Sequence, residues 1–229
     1  MYRVGIGKKL LSYFWPVTVE KSKSQMSSDL EVIVYNGKLM LDTQEVNYSF
    51  GNLHKVMEMV LLRLAKKQYS FEQTLILGYG GGSAAQIIHQ KIDRESQIIG
   101  IEKDSEVIRL AKKYFYTSEV KLLQEDAFDY VKKAKNSGWK YSVIVIDLFR
   151  DSIVPQYDTT FFEILYEILE DNGVVVLNTM MNASEFDAIG KKIDEAGFKK
   201  EPWNEIKENR VWVFKPYEKL GATTKSLVP

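Results

Sequence analysis

Between residues 73 and 179 short runs of Val, Ile and Leu alternate with stretches whose apolar residues recur at helical spacing, and this alternation constrains the fold more than any other feature. The runs are "TLILG", "QIIGIE", "EVKLL", "YSVIVID" and "GVVVLNT", and "SAAQIIHQKI", "SEVIRLAKKYF", "AFDYVKKA" and "TTFFEILYEIL" lie between them. Strands without a polar face must be covered on both sides, so the pattern predicts a parallel, doubly wound sheet with helices on both faces. A further helix, "SEFDAIGKKIDEAG", leads through "FKKEPWNEIKEN" to "RVWVFKP", a terminal hairpin that brings the sheet to seven strands, mostly parallel. Upstream, "GNLHKVMEMVLLRLAKK" has helical spacing and closes on lysines that suit a helix C-terminus. In "EVIVYNGKLMLDT" the Asn36-Gly37 pair predicts a small N-terminal β-hairpin, because both residues accept the positive φ of a two-residue turn.

Composition narrows the function. A chain of 229 residues, 45% hydrophobic, can bury one sizeable core. Its 31 basic and 31 acidic residues cancel, so no overall field draws it to nucleic acid or an anionic membrane. Without cysteine there is no disulfide, thiolate metal site or thiol nucleophile, and with two histidines no multi-histidine metal centre, so no metal is expected. The start, "MYRVGIGKKLLSYFWPV", is too interrupted for a signal peptide or membrane span, so the expectation is an unprocessed cytoplasmic protein.

The segment "LILGYGGGSA", residues 75–84, falls where the first core strand meets its helix, the place at which open α/β sheets bind ligands. Glycines also serve tight turns for steric reasons alone, so the ends of the other strands decide. The second ends in "IIGIEKD", where Glu102 can accept both hydroxyls of a ribose. The third leads to "LLQEDAF", where Asp126 can bond an exocyclic amine while Ala127 offers its backbone amide. Plainer roles exist for each acid, a helix N-terminal charge for Glu102 and an N-cap for Asp126. In this order they point to an adenosine-type ligand. A dinucleotide fits less well, since "GYGGGSA" has no third glycine for G-x-G-x-x-G unless Ala84 substitutes.

The blocks "GKLMLD", "VMEMVLLRL", "LILGYGGGSA", "IEKDSEVIRLAKKYF", "EDAFDYVKKA" and "YSVIVIDLFRD" resemble successive blocks of the spermidine synthase family, within the Rossmann-like class I S-adenosylmethionine-dependent methyltransferase fold. The resemblance implies a small N-terminal β-region over residues 1–50, a Rossmann-like nucleoside-binding domain over 51–217, and a homodimer, and the segment 218–229 reads as a flexible tail from its own sequence. It implies S-adenosylmethionine or its decarboxylated form as cofactor, Gly78, Gly80 and Gly82 shaping the loop, Glu102 on the ribose, Asp126 and Ala127 on adenine, and Asp147 as the catalytic acid. An attacking amine must lose a proton, and a carboxylate at Asp147 would take it. Its plainer role is a strand-end cap.

Departures from the family pattern bear on the substrate. The loop aspartate that the resemblance places near the aminopropyl amine is Gly81 here, and the second aspartate after the catalytic one is Arg150, followed by Asp151. A guanidinium there repels a diamine and welcomes a carboxylate. Val56 stands where a tyrosine is expected, and Asn52 and Leu53 replace an acidic pair, while Tyr48 and His54 are further candidates for contacting a small-molecule acceptor. Missing diamine-binding acids favour methyl transfer. An aminopropyltransferase of polyamine synthesis using Asp147 and Asp151 is the alternative, and a noncatalytic nucleoside-binding or dimerisation module the third reading.

Overall fold

The structure, a computed structural model, describes residues 2, 4–24, 26, 29–43, 52–115, 119–148, 156–179, 181–206 and 209–217. Asn36 and Gly37 take φ of 49° and 75°, and β2 (Asp29–Tyr35) and β3 (Lys38–Thr43) pair antiparallel across that turn. The N-terminal region is larger than the expected hairpin. A strand β1 (Val17–Lys23) pairs along β2 to make a three-stranded sheet, and a short helix α1 (Ile6–Leu11) precedes it. Ser12 ties the end of α1 to the turn, its carbonyl accepting the Asn36 amide and its hydroxyl the Gly37 amide, both at 2.9 Å.

The larger sheet contains β4 (Gln73–Leu77), β5 (Gln97–Glu102), β6 (Val120–Gln124), β7 (Tyr141–Ile146), β8 (Leu169–Thr179), β9 (Phe198–Ile206) and β10 (Asn209–Pro216). Their order is β6-β5-β4-β7-β8-β10-β9, with β10 antiparallel to both of its neighbours and the pairs from β6 to β8 parallel. This is the expected seven-stranded, mostly parallel α/β fold with its terminal hairpin. All six residues of β7 are buried, which explains the absence of polar alternation in "YSVIVI".

Helices cover both faces. On one, α2 (Asn52–Lys66) and α3 (Ser83–Lys91) bury Val56, Val60, Leu61, Ala85 and Ile88 against β4 and β7. On the other, α5 (Ala127–Asn136), α6 (Thr159–Ile168) and α7 (Ala183–Glu195) bury Tyr130, Val131, Phe162, Leu165, Ile189 and Ile193. Fully burying one such aliphatic side chain contributes roughly 1.5–3 kcal/mol.

The helix α4 (Ser105–Tyr114) joins the two sheets. Its Val107, Leu110 and Tyr114 pack with Leu30 and Val32 of β2 in a separate core. Around that core Glu20 of β1 pairs with Arg109 and with Lys113, both at 2.5 Å, and also accepts from the Tyr114 hydroxyl. Ser22 and Ser24 bond Glu106 and Asp104 at the start of α4. Three donors hold the Glu20 carboxyl down at about 2, Lys113 contributing most. Among the described residues no helix is long and apolar enough to cross a membrane.

Candidate active site at the strand ends

The chain leaves β4 toward β5 and leaves β7 toward β8 on the opposite side, so a crevice forms at the carboxyl ends of these adjacent strands. Gly78 follows β4 and Asp147 follows β7. The Asp147 amide donates to the Leu77 carbonyl at 2.8 Å, extending the pairing of the two strands by one bond. A Cβ on Gly78, whose φ is +85°, would lie 2.8 Å from the Asp147 carbonyl carbon and nearer still to its oxygen. Gly78 is therefore required by the backbone of Asp147, independently of any ligand.

Gly80 is different. Its φ is +52°, nothing lies within 4 Å of an ideal Cβ, and its amide donates to Glu102 Oε2 at 3.1 Å. Gly82, at φ 75°, closes the turn by donating to the Tyr79 carbonyl at 2.9 Å and occupies the N-cap of α3. An added methyl at Gly80 would thus meet open space, where one at Gly78 would collide with backbone. Gly81 lies under a roof made by Phe115, just past α4, and Leu41 of β3, with contacts of 3.7 and 3.8 Å to an ideal Cβ.

Glu102 closes β5 beside this turn. Oε2 takes the Gly80 amide and Oε1 the Asp104 amide at 3.0 Å, so the carboxylate is oriented by backbone on both oxygens and retains lone pairs for further donors. Burial raises its pKa, and those two amides oppose the rise.

Asp126 is the N-cap of α5, with Oδ1 accepting from the Phe128 amide at 2.9 Å and the Asp129 amide at 3.3 Å. Its Oδ2 pairs with Lys103 at 3.0 Å. Burial is the largest single influence and pushes the pKa up, but Lys103 and the two amides together outweigh it and leave the carboxyl below its usual range. Ala127 opens the helix, at a position whose amide has no intrahelical partner. The Glu102 carbonyl accepts the Glu125 amide at 3.1 Å, so both acids sit at the carboxyl ends of paired strands.

Among the described residues Asp147 has one side-chain partner, the Nδ2 of Asn178 at the end of β8, which donates to Oδ1 at 2.8 Å. Protein surrounds its carboxyl although the residue as a whole keeps some access to the crevice, and burial pushes its pKa up to about 7 against the lowering by Asn178. A carboxyl poised there can exchange a proton near neutral pH. Asn178 was not anticipated from the sequence. The polar pair Asn178-Thr179 closing the apolar run of residues 174–177 was its signal.

Of the remaining candidates, only His54 is among the described residues, and no bond joins it to this cluster among them. His54 lies on α2, with Nε2 3.5 Å from Glu58, and burial lowers its pKa; Glu58 in turn bonds Lys91 at the end of α3. Tyr48, Arg150 and Asp151 lie outside the described residues.

Strand order and glycine turn together define a protein of the class I methyltransferase fold, with Glu102, Asp126 and Asp147 at neighbouring strand ends. Residues 54–202 match the profile of the spermine/spermidine synthase domain, and the chain belongs to that family. It is 31% identical over 121 residues to a polyamine aminopropyltransferase of Vibrio vulnificus, and 30% over 143 residues to polyamine aminopropyltransferase 2 of Aquifex aeolicus. Those alignments cover 51% and 56% of this chain but only 40% and 28% of the two relatives, well under two thirds of their length. Among solved structures, the spermidine synthase of Thermotoga maritima superposes with a TM-score of 0.60 at 18% identity, covering 87% of this chain and 72% of that one. Human methyltransferase-like protein 13 in complex with SAH gives a TM-score of 0.61 at 21% identity, covering 76% and 86%. At these identities the superpositions speak for the fold alone. Family membership corrects the expected preference for methyl transfer, since it favours the aminopropyl alternative.

Proposed function

We propose that the chain transfers an aminopropyl group from decarboxylated S-adenosylmethionine to a small amine. The observation that carries this reading, in a chain of this family, is the enclosed Asp147 carboxyl joined through backbone to the glycine turn. The residues fit the donor: Gly80 leaves room for it, Glu102 keeps lone pairs for a ribose diol, and Asp126 with Ala127 lies at the next strand end for an adenine edge. When bound, the donor supplies a sulfonium beside an electrophilic methylene. Asp147 takes a proton from the acceptor's ammonium, freeing a lone pair for attack on that carbon. The new C–N bond replaces the C–S bond, whose electron pair returns to sulfur as a neutral thioether, and the proton passes from Asp147 to solvent.

Gly81 supports methyl transfer as the second reading, because the described turn has no acid to hold the aminopropyl amine. The two readings give different products. Incubation with the decarboxylated donor and a panel of di- and monoamines should release methylthioadenosine. Release of S-adenosylhomocysteine from the carboxylated donor, with no methylthioadenosine from the other, would reverse the assignment. Binding of neither donor would leave the noncatalytic module.

A further inference from the structure

Helix α1 wears its apolar side outward. Among the described residues the most exposed large apolar side chains, Ile6, Phe14, Leu10, Trp15 and Tyr13, all lie between residues 6 and 15, with Ile6 80% and Phe14 78% exposed. At about 3.6 residues per turn, Ile6, Leu10 and Leu11 fall on one side of α1 and Lys8 and Lys9 on the other. A surface helix ordinarily turns such an apolar side to the core. Here the lysine side lies over the turn between β2 and β3, since a Cβ on Gly37 would come 3.2 Å from Lys9 Cε and 2.7 Å from the Tyr13 hydroxyl. No residue of α1 is buried. What docks the segment is Ser12, fully buried, which takes two amides of that turn and donates its hydroxyl to the Lys9 carbonyl at 2.6 Å. Polar bonds thus hold the backbone while the apolar side chains stay outside, and Phe14 and Trp15 follow the helix with ring centroids 6.2 Å apart. Exposed apolar residues gathered in this way mark an interaction surface.

We propose that this segment seats the protein on an anionic lipid surface, Ile6, Leu10, Leu11, Phe14 and Trp15 entering the boundary between headgroups and acyl chains while Lys8 and Lys9 meet the lipid anions. The charges of the chain balance overall, but residues 1–19 hold Arg3, Lys8 and Lys9 and no acid. Glu20, the first acid, is engaged by Arg109 and Lys113. That local sign complements an anionic leaflet. Tryptophan favours the boundary between membrane and water, and lysine stems can lie along apolar surface with their ammonium groups in water. A second copy fits less well, because a two-fold contact through this patch would gather the lysines of both copies with no acid of the segment to meet them. A six-residue helix cannot span a bilayer, so the contact is peripheral.

Vesicle flotation tests this with no donor or acceptor present, so its outcome is independent of the reaction proposed above. The vesicles are phosphatidylcholine alone, or about three parts phosphatidylcholine to one part phosphatidylserine. The proteins are wild type, Phe14→Ser with Trp15→Ser, and Lys8→Gln with Lys9→Gln. Wild type should bind the phosphatidylserine vesicles at least about tenfold more tightly than phosphatidylcholine alone. On the phosphatidylserine vesicles the aromatic pair variant should lose at least about tenfold, and the lysine pair variant about tenfold. Urea unfolding of both should match wild type, because all four side chains are exposed. No flotation of wild type, equal binding to the two vesicles, or unaltered binding in either variant overturns the proposal. A wild-type dimer in lipid-free solution that the aromatic substitutions dissociate overturns it too, by giving the patch to a second copy. Should the aromatic pair variant prove unfolded, the lysine pair variant decides by the same criterion.

Discussion

Replacing Asp147 with Asn should abolish turnover and, at the same time, stabilise the fold in a pH-dependent way. Burial moves the carboxyl from its ordinary 3.8 to about 7 in the folded chain. A carboxyl raised by folding favours the native state only when protonated. Its cost is therefore absent below about pH 3.8, accrues as pH rises, and is complete above about 7. At about 1.4 kcal/mol per pH unit, the full difference is about 4 kcal/mol, and the access the residue keeps to the crevice brings it toward about 2 kcal/mol. The amide variant retains an Oδ1 for Asn178 and carries no charge, so it escapes the cost. Urea unfolding of both proteins from about pH 5 to about pH 8 should show a stability difference that opens with pH and favours Asp147→Asn at the alkaline end by about 2 kcal/mol or more. A difference that stays flat across that window would refute the account of an enclosed carboxyl, whatever happened to turnover. Wild-type turnover should rise through about pH 7 as the same group ionises.

Three further outcomes follow from the geometry. Gly78→Ala should cost about 3 kcal/mol or more, from positive φ and collision with the Asp147 carbonyl, whereas Gly80→Ala should cost about 1 kcal/mol and weaken methylthioadenosine binding; paired unfolding and calorimetry would separate them. Glu20→Gln should destabilise the chain by about 1 kcal/mol at neutral pH, a difference that fades as pH falls from about 4.5 toward about 2, because the depressed carboxyl stabilises only while ionised; acid titrations followed by unfolding would show it, and added salt should shrink it. Gly81→Asp should be accommodated, since its φ is not positive and its nearest neighbours allow a Cβ. If the aminopropyl reading holds, it should tighten binding of the decarboxylated donor about tenfold, read by calorimetry against the carboxylated one.

The larger sheet was legible because its strands are buried on both faces. A run such as "YSVIVI" has few other ways to bury itself, and the terminal hairpin completed the expected seven strands. The turn at Asn36-Gly37 was legible for an equally local reason, positive φ at both residues. Helix α1 was not, because Ile6, Leu10 and Leu11 are exposed and its apolar pattern answers to no core. Strand β1 was missed for a related reason: "VTVEKSK" leaves its few apolar residues half-buried, and beyond its ladder with β2 it is held by charge pairing with α4, nearly 90 residues away. At the site, the sequence located the acids but not their partners. Lys103 on Asp126 and Asn178 on Asp147 depend on which strands lie side by side, and Gly78 answers to a backbone 69 residues downstream.

That last contact has a consequence for how such a chain can diversify. The glycine turn and Asp147, which on the proposed reading would cradle the donor and accept the proton, are parts of one main-chain framework, fastened by the Leu77 to Asp147 bond and by a neighbour too close to admit even a methyl group. Neither can shift without dragging the other. Under that proposal, new acceptors would be more readily gained by exchanging side chains around a fixed reaction centre, and a lineage could explore many amines while the chemistry stayed in register.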